Sequence, residues 1–383
     1  MSAYIQRIAT QAPAWTYEQS YVRDRMKMLS PDTRTRRLIH AIYNRSGIET
    51  RHSVLGDFIE GEEPLIYRED GAGGILSPGT AERNAVYARE ARELAVRTAR
   101  QAIDECPGVH RSDVTHVIFA SCTGFANPGP DFHIIQELGL RQDTQRYTLG
   151  FMGCYAAFPA LRMASQFCAA DPDAVVLVVC LELCTLHMHI DSKPDNILAN
   201  SLFADGAAAA IVSARKPDGD SPCYELSGFA SNLLTTGEAE MAWDIGNEGF
   251  NIVLSSYVPE IIGANVRELT REVLSRCGMD LSDVQAWAIH PGGRSILDKV
   301  EQSLQLPPEA LEASRNVLAN YGNMSSATIL FVLKELLENA DDGKTTTLAM
   351  AFGPGLTVET ALLERIGSAA SRLEETPAEL AVI

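Results

Sequence analysis

The sequence predicts an α/β protein built from two similar halves, and three observations predict it. Apolar runs of strand length, such as HVIFAS, VVLVVC and TTLAMA, alternate with stretches of helical period. The order helix, Ser-Asp-Val, apolar strand occurs twice, with Asp113 and Asp283 lying 170 residues apart. LGFMGCYAAFPAL then aligns with YGNMSSATILFVL, matching Gly150 to Gly322, Met152 to Met324 and Leu161 to Leu333 at an offset of 172, and Val176 meets Leu348 at the same offset. Several matches in one order at nearly constant offset indicate a duplicated unit. Residues 1–218 are read as the first half and 219–383 as the second, joined near Pro217–Ser221, with a mobile tail from about residue 367.

Taken in order, residues 1–70 read as an N-terminal cap containing helices. Arg34, Arg36 and Arg37 suit a solvated helix face, while Arg45 and Arg51 flank a Ser-Gly turn and are candidates for the anionic tail of a cofactor or substrate. After a Gly-rich linker at 70–75, residues 81–105 are strongly helical and HVIFAS is a strand. Residues 147–161 then run from a β-rich segment through glycines into a helical stretch opened by Cys154. Free N–H groups and the positive dipole end at a helix N-terminus favour thiolate over thiol, so Cys154 is a candidate nucleophile. The plainer reading is a small buried hydrophobe.

Bulk properties narrow the possibilities. A chain of 383 residues, 46% hydrophobic, can bury a large core, and its net charge of −18 repels nucleic acid and anionic lipid. The start lacks the apolar core of a signal peptide and no run is long enough to span a bilayer, so no membrane association and a cytoplasmic location are expected. The 8 cysteines form no CxxC pairs and are expected reduced. Cys180 and Cys184, with His187 and His189 nearby, are explained by strand-end packing as well as by zinc.

The second half carries a different set of polar groups. Where the first half has Cys154, the duplicate has Ser326, but His290 ends its first apolar strand and Asn323 lies three residues before that serine. If the halves pack about a pseudo-twofold axis, Cys154, His290 and Asn323 share a pocket. A cysteine paired with a histidine as thiolate and imidazolium attacks a thioester. Asparagine and histidine N–H groups aimed at one point stabilise the enolate left when a malonyl thioester loses carbon dioxide. The turn Gly353-Pro354-Gly355 follows a strand, and its backbone is a candidate to approach the ligand and serve an oxyanion hole. A cysteine hydrolase also uses Cys and His, though with no need of a duplicated scaffold. No phosphate-binding glycine motif is present.

GFMGCYAAFPALRMA, LFADGAAAAIV, AIHPGGRSIL, NYGNMSSAT and FGPGLTVE, in that order from about Ile5 to Leu363, together resemble the type III polyketide synthases of the thiolase superfamily. That resemblance implies a five-layered αβαβα thiolase fold, a homodimer, and a triad of Cys154, His290 and Asn323. It also implies malonyl-CoA and an acyl-CoA starter as substrates, with no separate cofactor and no metal. Phe203, in the LFxDG motif, corresponds to the family's gate between CoA tunnel and cavity, and Trp243 to a second aromatic gatekeeper in a divergent segment. Arg45 fits the basic contacts to the CoA tail, whereas Glu49 stands where plant members are commonly basic. Cys122 matches a cavity-lining position. CLELCTLHMH is similar to bacterial members that accept fatty acyl starters. The function expected by analogy is iterative decarboxylative condensation followed by cyclisation to a pyrone or phenolic (resorcinol) ring. The alternatives are a single condensation of the ketoacyl-ACP synthase III type, or a non-catalytic partner subunit.

Overall fold

Residues 2–30, 32–71, 74–217, 221–339 and 343–367 are described by the computed structural model. The first half contains β1 (Tyr4–Gln11), β2 (Trp15–Glu18), α1 (Gln19–Met28), α2 (Thr33–Arg45), β3 (Thr50–Ser53), α3 (Thr80–Asp104), β4 (His116–Ser121) and α4 (Pro130–Leu138). It continues through β5 (Gln145–Gly150), α5 (Ala157–Ala170), β6 (Val175–Leu183), α6 (Pro194–Leu202) and β7 (Asp205–Ser213). The second half opens with β8 (Cys223–Leu233), the hairpin β9 (Met241–Gly246) and β10 (Gly249–Leu254), α7 (Val258–Arg276) and β11 (Ala286–Ile289). It ends with α8 (Arg294–Leu304), α9 (Glu312–Tyr321), α10 (Thr328–Glu338), β12 (Lys344–Gly353) and β13 (Thr357–Ile366).

Nine strands pair in the order β11-β12-β13-β8-β1-β7-β6-β4-β5. Within this sheet the halves meet where β1 pairs with β8, through Tyr4 opposite Glu225 and Ile5 opposite Tyr224. About that junction β7 mirrors β13, β6 mirrors β12 and β4 mirrors β11. β4 runs parallel to β5 and β6, as β11 does to β12, while the strands nearer the junction are antiparallel.

Side-chain alternation along the strands divides the interior into three cores. Val176, Val178, Ala208 and Ala210 of the first half and Ala349, Ala351 and Leu363 of the second point into one core with α5 and α10. On the opposite face of the first half, Leu177, Val179, Ala207 and Ala209 pack on α3 and the N-terminal helices. Leu348, Met350 and Leu362 pack on α7, α8 and α9. Helix, sheet, helix, sheet, helix is therefore the order of layers, as the thiolase fold requires.

The repeated Ser-Asp-Val segments fold alike. Each sits in a single 3-10 turn closed by a reciprocal cap, with Asp113 Oδ2 accepting from His110 N–H at 2.8 Å and Asp283 Oδ2 accepting from Asp280 N–H at 2.8 Å. Two expectations need correction. The N-terminal segment is more than a helical cap, because β1 lies at the middle of the sheet, with Ile5, Ile8 and Ala9 buried. Cys154 does not open the long helix itself: it sits in a 3-10 turn, Gly153–Tyr155, and α5 begins at Ala157. The joint expected near Pro217–Ser221 falls partly, and the tail expected beyond Gly367 wholly, outside the described residues.

The matched caps yield a stability prediction. Asp113→Ala and Asp283→Ala should each cost about 1 kcal/mol, and the double variant about the sum, because the sites lie in different halves and share no partner. Urea denaturation of the four proteins reads this directly; a single large effect from one half alone would contradict equivalent roles.

Candidate active site

The turn that holds Cys154 is shaped by glycine. Gly153 has φ 76°, a left-handed conformation, and a Cβ there would lie 2.5 Å from Cδ of Pro354. Only a glycine lets the Cys154 turn close onto the β12–β13 turn of the other half. Across from it, the duplicate turn Ser325–Ala327 precedes α10, and the two turns touch. One cavity is lined by Cys154, His290 and Asn323 together, with Cys122, Phe203, Trp243 and Pro354 also on its wall.

Each polar group in the cavity is fixed differently. Asn323 is 2% exposed, and its Oδ1 accepts from Ser325 N–H at 2.8 Å, which sets the direction of its amide. Nδ2 donates to Gly292 O at 3.2 Å, and an amide nitrogen carries a second hydrogen for a ligand. His290 is 1% exposed, held by its backbone N–H to Met350 O at 2.8 Å, while both ring nitrogens lack a partner among the described residues. Unpaired polar atoms in a buried site are costly; a ligand carbonyl would satisfy the ring N–H, and a donor such as a thiol the other nitrogen.

Desolvation opposes the expected thiolate–imidazolium pair. Burial pushes the Cys154 thiol up to about 11, against hydrogen bonds from Ser325 and Asn323 that favour the thiolate. Burial alone takes His290 down to about 3. Desolvation of each group disfavours its charged form, and this works against an ion pair although Cys154 itself is only partly shielded.

Other candidates fall as follows. Trp243 lines the cavity with its indole N–H donating to Cys122 O at 2.8 Å, and its ring meets His187 and Phe250 edge-on. Cys122 is buried, with its sulfur 3.6 Å from Ser325 Oγ. Pro354 is on the wall; Gly353 packs against Tyr155 beside the Cys154 backbone, and Gly355 does not line the cavity. Arg45 is exposed at the end of α2, away from the cavity wall. Arg51 is corrected: it is 5% exposed, donates to the carbonyls of Asn200 and Phe203 at 2.7 Å each, and cannot meet a ligand tail. Cys180 is buried within β6, whereas Cys184 reaches the cavity.

Several participants were not singled out from the sequence. Ser325 contacts Cys122 and holds Asn323. Glu182 is wholly buried and accepts from Cys122 N–H at 2.9 Å, Thr123 Oγ1 at 2.9 Å and Ser326 Oγ at 2.5 Å. Its burial outweighs these bonds and raises its carboxyl to about 7. A single carboxylate inside the apolar run VVLVVCLEL was the available signal. Met241, Ile252 and Leu254 of the β9–β10 hairpin complete an apolar wall.

The chain is similar to known proteins over nearly its whole length. The family profile described as chalcone and stilbene synthases matches in two parts, its N-terminal domain over residues 2–216 and its C-terminal domain over residues 225–367. The alpha-pyrone synthesis polyketide synthase-like Pks18 of Mycobacterium tuberculosis is 33% identical over 370 residues, covering 95% of this chain and 91% of that protein. Among solved structures, PKS-I of the brown alga Ectocarpus siliculosus superposes with a TM-score of 0.89 at 29% identity, over 95% of this chain and 98% of that one. The 1,3,6,8-tetrahydroxynaphthalene synthase of Streptomyces coelicolor, a bacterial type III polyketide synthase, gives 0.84 at 29% identity, over 96% and 100%.

A neutral resting pair is testable by pH. Alkylation of Cys154 by iodoacetamide without substrate should still be rising between pH 8 and 10, because deprotonation is centred near pH 11. A rate already level below pH 7, followed by peptide mass spectrometry, would show an ion pair instead.

Proposed function

The chain belongs to the chalcone and stilbene synthase family, the type III polyketide synthases, acyltransferases that condense malonyl-CoA units, and on that premise we propose that it loads an apolar acyl-CoA starter on Cys154, extends it iteratively and cyclises the product to a pyrone or phenolic ring. The observation that carries this reading is a single cavity in which a cysteine, an unpartnered histidine and an oriented asparagine face walls of Met241, Ile252, Leu254, Ile296 and Phe352.

In the proposed reaction, Cys154 gives its proton to His290 as sulfur attacks the starter thioester, and CoA leaves with that proton. Malonyl-CoA then places its thioester oxygen against the free Asn323 N–H and the His290 N–H. As carbon dioxide departs, these donors hold the enolate oxygen. The enolate carbon attacks the acyl group, a carbon–carbon bond forms, the bond to Cys154 sulfur breaks, and the lengthened chain remains on CoA for reloading. Loss of carbon dioxide drives the step and the fixed N–H groups stabilise the charge, so no cofactor beyond the CoA thioesters is assigned. Phe203 and Trp243 are proposed to border the growing chain, Cys122 to shape its fold, and Arg45 to meet the CoA phosphates.

A homodimer is part of the proposal. β5 ends the sheet with largely exposed residues, and Phe125 and Phe132 are 44% and 37% exposed beside it. An open strand edge next to exposed aromatic rings is a surface that a second copy covers well. The relatives named for alpha-pyrone synthesis and tetrahydroxynaphthalene synthesis support cyclisation of either kind.

Intact-protein and product mass spectrometry with malonyl-CoA and a panel of acyl-CoA starters tests the reading. An acyl adduct and products growing by two-carbon units are expected for the wild type and neither for Cys154→Ala. A single-extension product formed only on acyl carrier protein would favour the ketoacyl synthase alternative, and no adduct at all a non-catalytic role. Sedimentation should give twice the chain mass, and Phe125→Asp combined with Phe132→Asp should shift it toward the monomer.

A further inference from the structure

We infer that Arg51 is a positioning residue for the decarboxylation half of the reaction, acting through the strap at 202–204 on Asn323; this rests on the function proposed above. α6 ends at Leu202, and Arg51 Nη1 donates to the carbonyls of Asn200 and Phe203, both at 2.7 Å. The same strap holds the backbone of Asn323 from two sides. Asn323 N–H donates to Leu202 O at 2.9 Å, and Ala204 N–H donates to Asn323 O at 2.9 Å, forming a parallel bridge between Phe203 and Asn323.

The packing closes the loop. Gly322, next to Asn323, lies against the Arg51 stem, where a Cβ would come within 2.9 Å of Arg51 Cγ and 3.1 Å of Leu202 O. One guanidinium therefore supports the end of α6, the residue on the cavity wall and the chain that carries the amide. Among the described residues, its hydrogen bonds go to those backbone carbonyls rather than to a carboxylate. A buried cation is a costly way to brace a turn, and it is repaid here by the negative end of the α6 dipole. Both carbonyls accept from the one nitrogen Nη1, whose two hydrogens the planar guanidinium holds in fixed directions, whereas an ammonium on a flexible stem is less firmly oriented.

Cys154 hangs from a different support. Its turn is anchored by α5 and by the contact of Gly153 with Pro354, neither of which involves Arg51, and it meets the Asn323 segment only through the Ser325–Ala327 turn and the bonds that Ser325 and Asn323 make to the sulfur. Loosening the strap should therefore misplace the enolate donor far more than the nucleophile, whose main anchors lie elsewhere. Misplacement of such a group by about 1 Å costs about 100-fold in rate.

The test uses the full-length protein and reads two half-reactions separately. Acylation of Cys154 by hexanoyl-CoA is followed by intact mass, and release of acetyl-CoA from malonyl-CoA by chromatography. Arg51→Met should load within about threefold of wild type but decarboxylate about 100-fold more slowly. Arg51→Lys, which returns the charge and one donor, should recover at least about tenfold of that loss. If Arg51→Met does not yield folded protein, Arg51→Lys alone should show the same split, about tenfold in decarboxylation with loading retained. Equal loss of both half-reactions, or loss of neither, in protein that melts like wild type would overturn the positioning role. A wild type that neither loads an acyl group nor consumes malonyl-CoA would overturn the functional reading itself.

Discussion

The site depends on the central layer, the core that holds both α5 and α10. Their hydrophobic faces share one core, with Phe158, Leu161 and Ala164 from one helix and Ile329, Leu330 and Leu333 from the other, all nearly inaccessible to water. Burying these residues stabilises the fold by the usual area term, but it also fixes where the two preceding turns meet. A pseudo-twofold arrangement places equivalent points of the two halves face to face. Divergence at those points then supplies different groups to one cavity: a thiol from the first half, an imidazole and an amide from the second.

Glu182 shows how far the halves have become interdependent at that seam. Its carboxylate receives groups from Cys122 and Thr123 of the first half and from Ser326 of the second, the residue that duplicates Cys154. Because its native pKa of about 7 lies above the unfolded value, the folded state binds the proton more tightly. Its contribution to stability is thus fully present below the unfolded carboxylate pKa and is lost as pH rises toward 7. The hydrogen bonds reduce the cost of burial without removing it, which is what a partly compensated buried acid does.

What could be read from the chain follows from the range of the interactions involved. The Ser-Asp-Val caps and the glycine turns before Cys154 and Asn323 are local devices, written within a few residues, so the duplication and the shared pocket were legible. β1 was not, because IQRIATQ acquires its meaning from β7 and β8, about 200 residues away in sequence. Arg51 misled for a related reason. An arginine beside a turn in an acidic chain suits an anionic ligand, and nothing local reveals that α6 will bury it. The hairpin wall of Met241, Ile252 and Leu254 was equally silent, since its apolar residues alternate as in any half-buried ribbon.

The low basicity of His290 works against the loading step, where the ring takes the Cys154 proton, but it serves the decarboxylation step of the proposed chemistry. An enolate carbon formed by decarboxylation has two fates, attack on the acyl group or capture of a proton. An imidazolium of ordinary acidity beside it would supply that proton and waste the extender unit. A histidine whose burial holds it near 3 is neutral across the working range, and its N–H can bind the enolate oxygen with little tendency to protonate the carbon. Cys154 meets the same logic. In the proposed reaction a sulfur with a raised thiol pKa would be a slower leaving group as the new carbon–carbon bond forms, but the thiolate released would be strongly nucleophilic and suited to taking the lengthened chain back from CoA. In the proposed reaction the apolar wall would also limit the access of water, the other proton source and the nucleophile that would hydrolyse the acyl-enzyme. In the proposed reaction one property of the cavity, its burial, thus bears at once on the charge of both groups and on the lifetimes of the carbanion and the thioester.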